Sequence, residues 1–443
     1  MKHPKERIRL EREEQVFAAY DDTPDPIIPV QGPAMGAASR SAILLFAANF
    51  IFSLAYNSQI VKFAGEHTFE YVNRSFYIVA IAGVVVGFVL QEFLASLAAL
   101  ALFAYFGAMA IVGSENSPLG LINSIFLPYA PLAMAPLAAY LMRQGRGQFI
   151  ETIIKCAAIV YFLLYIYFSH TVTGDASRTK SGAGFIVSSG GRGARLAIDT
   201  AGLTAAYFLA LAGIRSGKQL ALNGLILLLG CVVLYLSDSR LLTVMMVLVS
   251  VAFIIMPGSR ILDYGAAAGF ALASGVMLYL LATGQNIYAL LSSDNSALAR
   301  MQELNSIRQS MDQGLITGHG FFTPGSIDPT KGTDYTRDIF WNDMGIYGIL
   351  FATGVVGLVI FILMSVRFIL SRSTFDAAGQ PRTLTNGLGL ACVICGTLGF
   401  TAPFVWTNGL ELVALVVAAM VVAAGRGSVR RTLIDARRGA PRP

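Results

Sequence analysis

Charge is what this sequence has least of. Asp, Glu, Lys and Arg make up 13% of its 443 residues, about half the share in an ordinary soluble domain. A water-soluble globular fold of usual composition is therefore excluded. Cysteine is as scarce: Cys156, Cys231, Cys392 and Cys395 all lie inside apolar runs. Cys392 and Cys395 form a C-x-x-C, but no histidine or second cysteine pair stands near to complete a metal site. Two small side chains on one helix face is the plain reading, and no metal centre is expected. No apolar core stands near the start, so no signal peptide is expected. The ten-residue alternating segments of a membrane β-barrel are missing, and no internal repeat is evident. The formal net charge of +6 resides mostly in the two tails. It reports topology rather than a nucleic-acid partner.

What is present is apolar runs. The hydrophobic share is 55% and the mean hydropathy +0.64. Runs of about 20 apolar residues recur, the length that crosses roughly 30 Å of hydrocarbon. The expected fold is an all-α polytopic membrane protein of about twelve spans. They are placed roughly at 42–61, 76–90, 93–112, 120–142, 153–168, 196–214, 220–236, 241–256, 263–283, 344–366, 387–405 and 410–425. A basic, proline-rich tail (1–41) and a basic tail (426–443) flank a transmembrane domain over 42–425. Lys and Arg favour the cytoplasmic side, which puts both tails there with Arg143, Arg146, Arg215, Lys218, Arg260, Arg367, Arg372 and Arg382.

Eleven basic residues then fall on the outer side, against that rule: Lys62, Arg74, Arg178, Lys180, Arg192, Arg195, Arg240, Arg300, Arg308, Lys331 and Arg337. Lys62 and Arg74 can pair with Glu66 and Glu70. The others crowd into the outer loop 169–195, the turn Ser237-Asp238-Ser239-Arg240, and the large loop 284–343 between spans nine and ten. An anionic ligand arriving at the outer face is the simplest use for them. A guanidinium matches a phosphate bidentately. Against that, Arg240 can pair with Asp238 or snorkel, and Arg300 can pair with Glu303 three residues on.

Within the large loop, Leu298, Met301, Leu304, Ile307, Met311 and Leu315 recur at steps of three and four. They define one apolar face of an amphipathic helix along the membrane surface. Ser292 to Ser296 supply its caps, and Gly318-His319-Gly320 ends it. Asp343 stands at the entrance of the tenth span. There it is either an N-cap or a carboxylate that takes a proton from a hydroxyl. His319, alone between two glycines, reads as a bystander.

The order of these motifs resembles a known family. Ser237-Asp238-Ser239-Arg240 leads into an apolar span, and Leu298-Ala299-Arg300 opens the large loop. Gly318-His319-Gly320-Phe321 follows. Asp343 stands eleven residues before Gly354-Val355-Val356-Gly357-Leu358. Together they resemble the Wzy-type O-antigen and exopolysaccharide polymerases and the related O-antigen ligases. The resemblance implies a GT-C-like inverting glycosyltransferase of the bacterial inner membrane, with no cofactor and no metal. It implies a substrate linked to undecaprenyl pyrophosphate, surrounding membrane lipids, and a chain-length regulator and a flippase as partners. Arg240 and Arg300 occupy the places of the pyrophosphate-holding arginines, and Asp343 that of a base. Arg192, Arg195, Arg308 and Arg337 are further candidates for phosphate or glycan. Ligases carry a His-Asn type pair where Asp343-Met344 stands here, which favours a polymerase. A flippase or other twelve-span transporter is the alternative of another class. The loop Gln91-Glu92 lacks the Gly/Asp/Arg-rich signature that sugar-porter-like transporters carry there.

Overall fold

The structure is a computed structural model that describes residues 36–58, 66–114, 127–172, 186–188, 194–196, 198–237, 239–256, 259–283, 295–321, 344–399 and 409–439. The chain divides into a unit Met1–Arg40 and a unit Ser41–Pro443, and the helical bundle belongs to the second.

Its elements in order are α1 (Ala37–Ser58), α2 (Glu66–Val89), α3 (Phe93–Ser114), a 3-10 segment (Leu127–Ala133), α4 (Met134–Arg143), α5 (Gly147–Val172), the short strands β1 (Ile186–Ser188) and β2 (Ala194–Leu196), α6 (Thr200–Arg215), α7 (Leu220–Ser237), α8 (Arg240–Ile255), α9 (Ile261–Ala282), α10 (Asn295–Gly314), α11 (Gly345–Ile369), α12 (Ser371–Ala377), α13 (Arg382–Leu398) and α14 (Leu410–Gly439). β1 and β2 pair antiparallel, Val187 opposite Arg195.

Among the described residues seven helices are long and apolar enough to cross a membrane: α1, α2, α3, α5, α7, α9 and α11. Their outward positions stay apolar, as Leu228, Leu272 and Leu363 do. That suits a hydrocarbon surround and would be costly in water. The chain is thus an α-helical, multi-pass membrane protein. The apolar helices α6 and α8 have 16 residues each, about 24 Å of rise, and α13 has 17.

Several segments differ from the sequence-based expectation for physical reasons. In place of a continuous span over 120–142, the described part is a 3-10 segment containing Pro131, followed by a ten-residue α4. Proline removes the backbone donor that a continuous α-helix needs. α2 begins at Glu66, because its polar first turns are helical and salt-bridged, with Arg74 to Glu70 at 2.8 Å. α14 continues through the basic tail to Gly439.

The interior is built on α6 and α13, which pack on each other most extensively. Their backbones approach closely because Gly387 has no side chain. A Cβ there would stand 2.7 Å from the Leu209 Cα and 2.9 Å from its nitrogen. Close packing through small residues is what holds helices together in lipid, where apolar burial gives no preference.

Polar contacts sort the helix ends into two faces. On one face, Arg372 pairs with Asp263 at 3.0 Å and Arg260 with Asp376 at 2.9 Å. Arg143 meets Glu92 at 3.0 Å, Thr383 donates to Glu151 at 2.8 Å, and Arg215 donates to the Phe253 and Ile254 carbonyls. These contacts bring together the ends that the charge count assigned to one side. The other face carries the start of α6, the start of α8, the end of α9, α10 and the start of α11. Tyr347 on α11 donates to the Met277 carbonyl of α9 at 3.0 Å.

Candidate functional site

The candidate site is this second face. Arg240 is the first residue of α8 and is exposed. α6 and α8 run parallel, since Arg215 at the end of one reaches the end of the other. Arg240 therefore opens at the same end as the α6 start. The register of α6 against α7 gives the level. Asn223 abuts Gly213, and Gly230 faces Leu203 and Tyr207. Continued along the antiparallel pair, it sets Asp199 opposite the last turn of α7, just before Arg240.

The amphipathic helix forms as expected. α10 buries Leu304 and Ile307 completely, while Leu315 lies past its end and is exposed. Arg308 donates to the Leu280 carbonyl at 3.4 Å and ties α10 to the end of α9. Arg300 is half-buried on the same helix. Among the described residues it has no hydrogen bond or ion pair, so the pair with Glu303 that the spacing allows is not formed. α10 packs on α11, whereas α8 packs on α13 and α6, and α8 and α10 share no extensive interface. Arg240 and Arg300 thus stand on one face but on different layers of it. Arg195 is in β2, its side chain outside the described residues. Arg192, Arg337 and Asp343 lie outside the described residues altogether.

The Gly-Val-Val-Gly segment, read as part of an apolar helix, is a break. Gly354 has φ 65° and ψ −170° inside α11. The left-handed φ is open to glycine at little cost. Breaking the helix strips the Phe351 and Ala352 carbonyls of intrahelical donors, and a strap from the large loop replaces them. His319 N–H donates to Phe351 O at 3.0 Å and Gly320 N–H to Ala352 O at 2.8 Å; Val355 N–H returns a bond to Leu315 O at 2.9 Å. On the other side Phe321 N–H donates to Met109 O of α3 at 2.8 Å. A backbone inside a membrane bundle must satisfy its polar groups within the protein, and this strap does so. His319 is no bystander to the packing: its ring stacks on Phe351 at 4.6 Å. Phe321 completes an aromatic cluster with Phe106 and Tyr129, themselves stacked at 4.9 Å.

Sequence reasoning missed a second group on this face, two buried carboxyls. Asp199 caps α6, accepting from Gly202 N–H at 2.7 Å. Glu411 sits in the first turn of α14. They are 0% and 1% exposed. The Asn57 amide lies between them, 3.3 Å from Asp199 Oδ2 and 2.5 Å from Glu411 Oε1. Ser53 also donates to Glu411 Oε1. The available signal was Glu411 itself, an acid within the apolar run Leu410 to Ala424. Ionisable residues inside membrane helices are expensive and mark function by default.

No protein-family model matches this chain, and no curated protein matches it.

Proposed function

We propose that this protein is a membrane glycosyltransferase that elongates a glycan carried on an isoprenoid pyrophosphate, for exopolysaccharide or O-antigen synthesis. The observation that carries the reading is Arg300. It is a permanent cation, half-buried, with no carboxylate paired to it among the described residues, on a surface helix at the same face as Arg240. Such a group is suited to a phosphate arriving from the membrane plane. The order of motifs supports the same reading, with about twelve spans, a GT-C-like arrangement and both tails cytoplasmic.

In this mechanism the acceptor hydroxyl attacks the anomeric carbon of the donor glycan on the side opposite the pyrophosphate. The new C–O bond forms as the bond to the diphosphate oxygen breaks, with inversion. The leaving electron pair passes to the diphosphate, where Arg240 and Arg300 stabilise the growing charge. The acceptor proton passes to Asp343. Arg192, Arg195, Arg308 and Arg337 are the further cations for phosphates or glycan, and the working environment is the bacterial inner membrane. Replacing Arg240 or Arg300 by Ala is expected to abolish polymer and leave single lipid-linked repeats, read by analysis of the accumulated lipid-linked sugars. Normal chain length and yield from both variants would refute the assignment.

A transporter is the second reading, and two observations favour it: the break in α11 and the buried carboxyl pair. Interrupted helices and buried acids are the usual furniture of transport sites.

A further inference from the structure

We propose that Asp199 and Glu411 form a proton-binding site that holds one exchangeable proton between the two carboxyl groups. Neither group takes part in the glycosyl transfer proposed above.

Both carboxylates lie within hydrogen-bonding reach of one amide nitrogen, at 3.3 and 2.5 Å, so their nearest oxygens are at most about 6 Å apart, the range over which like charges oppose each other's ionisation. Both residues are enclosed. Among the described residues no lysine or arginine pairs with either one. Among the described residues the other titratable groups beside the pair are Tyr161 of α5, which accepts the Asp199 N–H at 2.9 Å, and Cys395 of α13, 3.4 Å from Thr204. Neither a phenol nor a thiol has a cationic form, so neither supplies a positive charge.

Among the described residues the positive potential at this pair comes from two helix N-termini. Asp199 caps α6 and Glu411 occupies the first turn of α14. Each terminus presents roughly half a unit of positive charge, so the two together balance about one negative charge and not two. The donors give the same count. The Gly202 and Ala201 N–H groups and Asn57 serve Asp199, while Ser53 and Asn57 serve one oxygen of Glu411. Glu411 Oε2 is buried and has no hydrogen-bond partner among the described residues. A buried carboxyl oxygen without a donor, beside a second acid, is the position a proton fills. Loss of that proton would leave two like charges enclosed between α1, α6 and α14. Occupancy is thereby linked to the packing of these helices, on the face that carries the guanidiniums.

The test is infrared difference spectroscopy of the full-length protein in lipid bilayers, reading the C=O stretch of protonated carboxyl groups in H2O and D2O. The wild type minus Asp199→Asn difference and the wild type minus Glu411→Gln difference are each expected to show loss of one whole carboxyl band that shifts in D2O. In either variant the remaining acid, relieved of its neighbour, ionises against its own helix terminus. Ser53→Ala retains the site and keeps the band at altered frequency. Thermal unfolding confirms that each variant is folded. A wild-type signal that neither replacement changes would overturn the proposal, as would two bands of which each variant removes one.

Discussion

At Gly354 and Gly318 a hydrogen atom is the only tolerated side chain. A Cβ on Gly354 would lie 2.2 Å from the Ile316 carbonyl oxygen, and one on Gly318 would lie 2.3 Å from that of Ala352, both at positive φ. Gly354→Ala is therefore expected to cost about 1–3 kcal/mol, the range for a strained backbone residue, and to lower the thermal unfolding midpoint in detergent. Gly265→Ala, where nothing lies within 4 Å of an added Cβ, is the control and should be neutral or slightly stabilising. Glu92, in the turn between α2 and α3, gives a pH-dependent case. Burial pushes its carboxyl above the ordinary range, and the Arg143 guanidinium pulls it part of the way back. A carboxyl raised in the folded state binds its proton more readily there than in the unfolded chain. Its contribution to stability falls as pH rises from the ordinary carboxylate value through the raised one. Glu92→Gln should remove that slope and leave stability near neutral pH unchanged or higher, as read by unfolding midpoints at a series of pH values from the ordinary carboxylate range upward.

Single elements were legible in the sequence to the extent that hydropathy decides them. The long apolar helices and the amphipathic α10, with Leu304 and Ile307 inward, follow from periodicity alone. The break in α11 does not. A run of Gly, Val and Leu has the same hydropathy whether or not one φ turns positive, and the partner strap is some thirty residues away in sequence. The carboxyl pair was hidden similarly: Asp199 reads as a helix cap and Glu411 as a lone acid. Only the packing of α1, α6 and α14 makes them neighbours. Elements are also tied across the opposite face by Asp263 and Arg372, 2% and 3% exposed. Asp263→Ala leaves that guanidinium buried without its partner and should destabilise by about 3–5 kcal/mol. Asp263→Leu combined with Arg372→Met should recover most of the loss, a non-additivity measurable by unfolding of the single and double variants.

For the whole molecule, the charge count and the contacts agree on which ends share a face, because ion pairs gather where helix ends meet. Arg240, Arg300 and Arg308 belong to the other face, Arg240 in one layer of it and Arg300 with Arg308 in another. Purified protein in proteoliposomes, supplied with lipid-linked repeat units and no nucleotide sugar, separates elongation from transport. Chain length and transbilayer position of the glycan are followed together. Wild-type protein is expected to yield longer lipid-linked glycans, and Arg240→Ala and Arg300→Ala only single repeats; elongation is the predicted result. Repeats that cross the bilayer without growing, in wild type and variants alike, would contradict it.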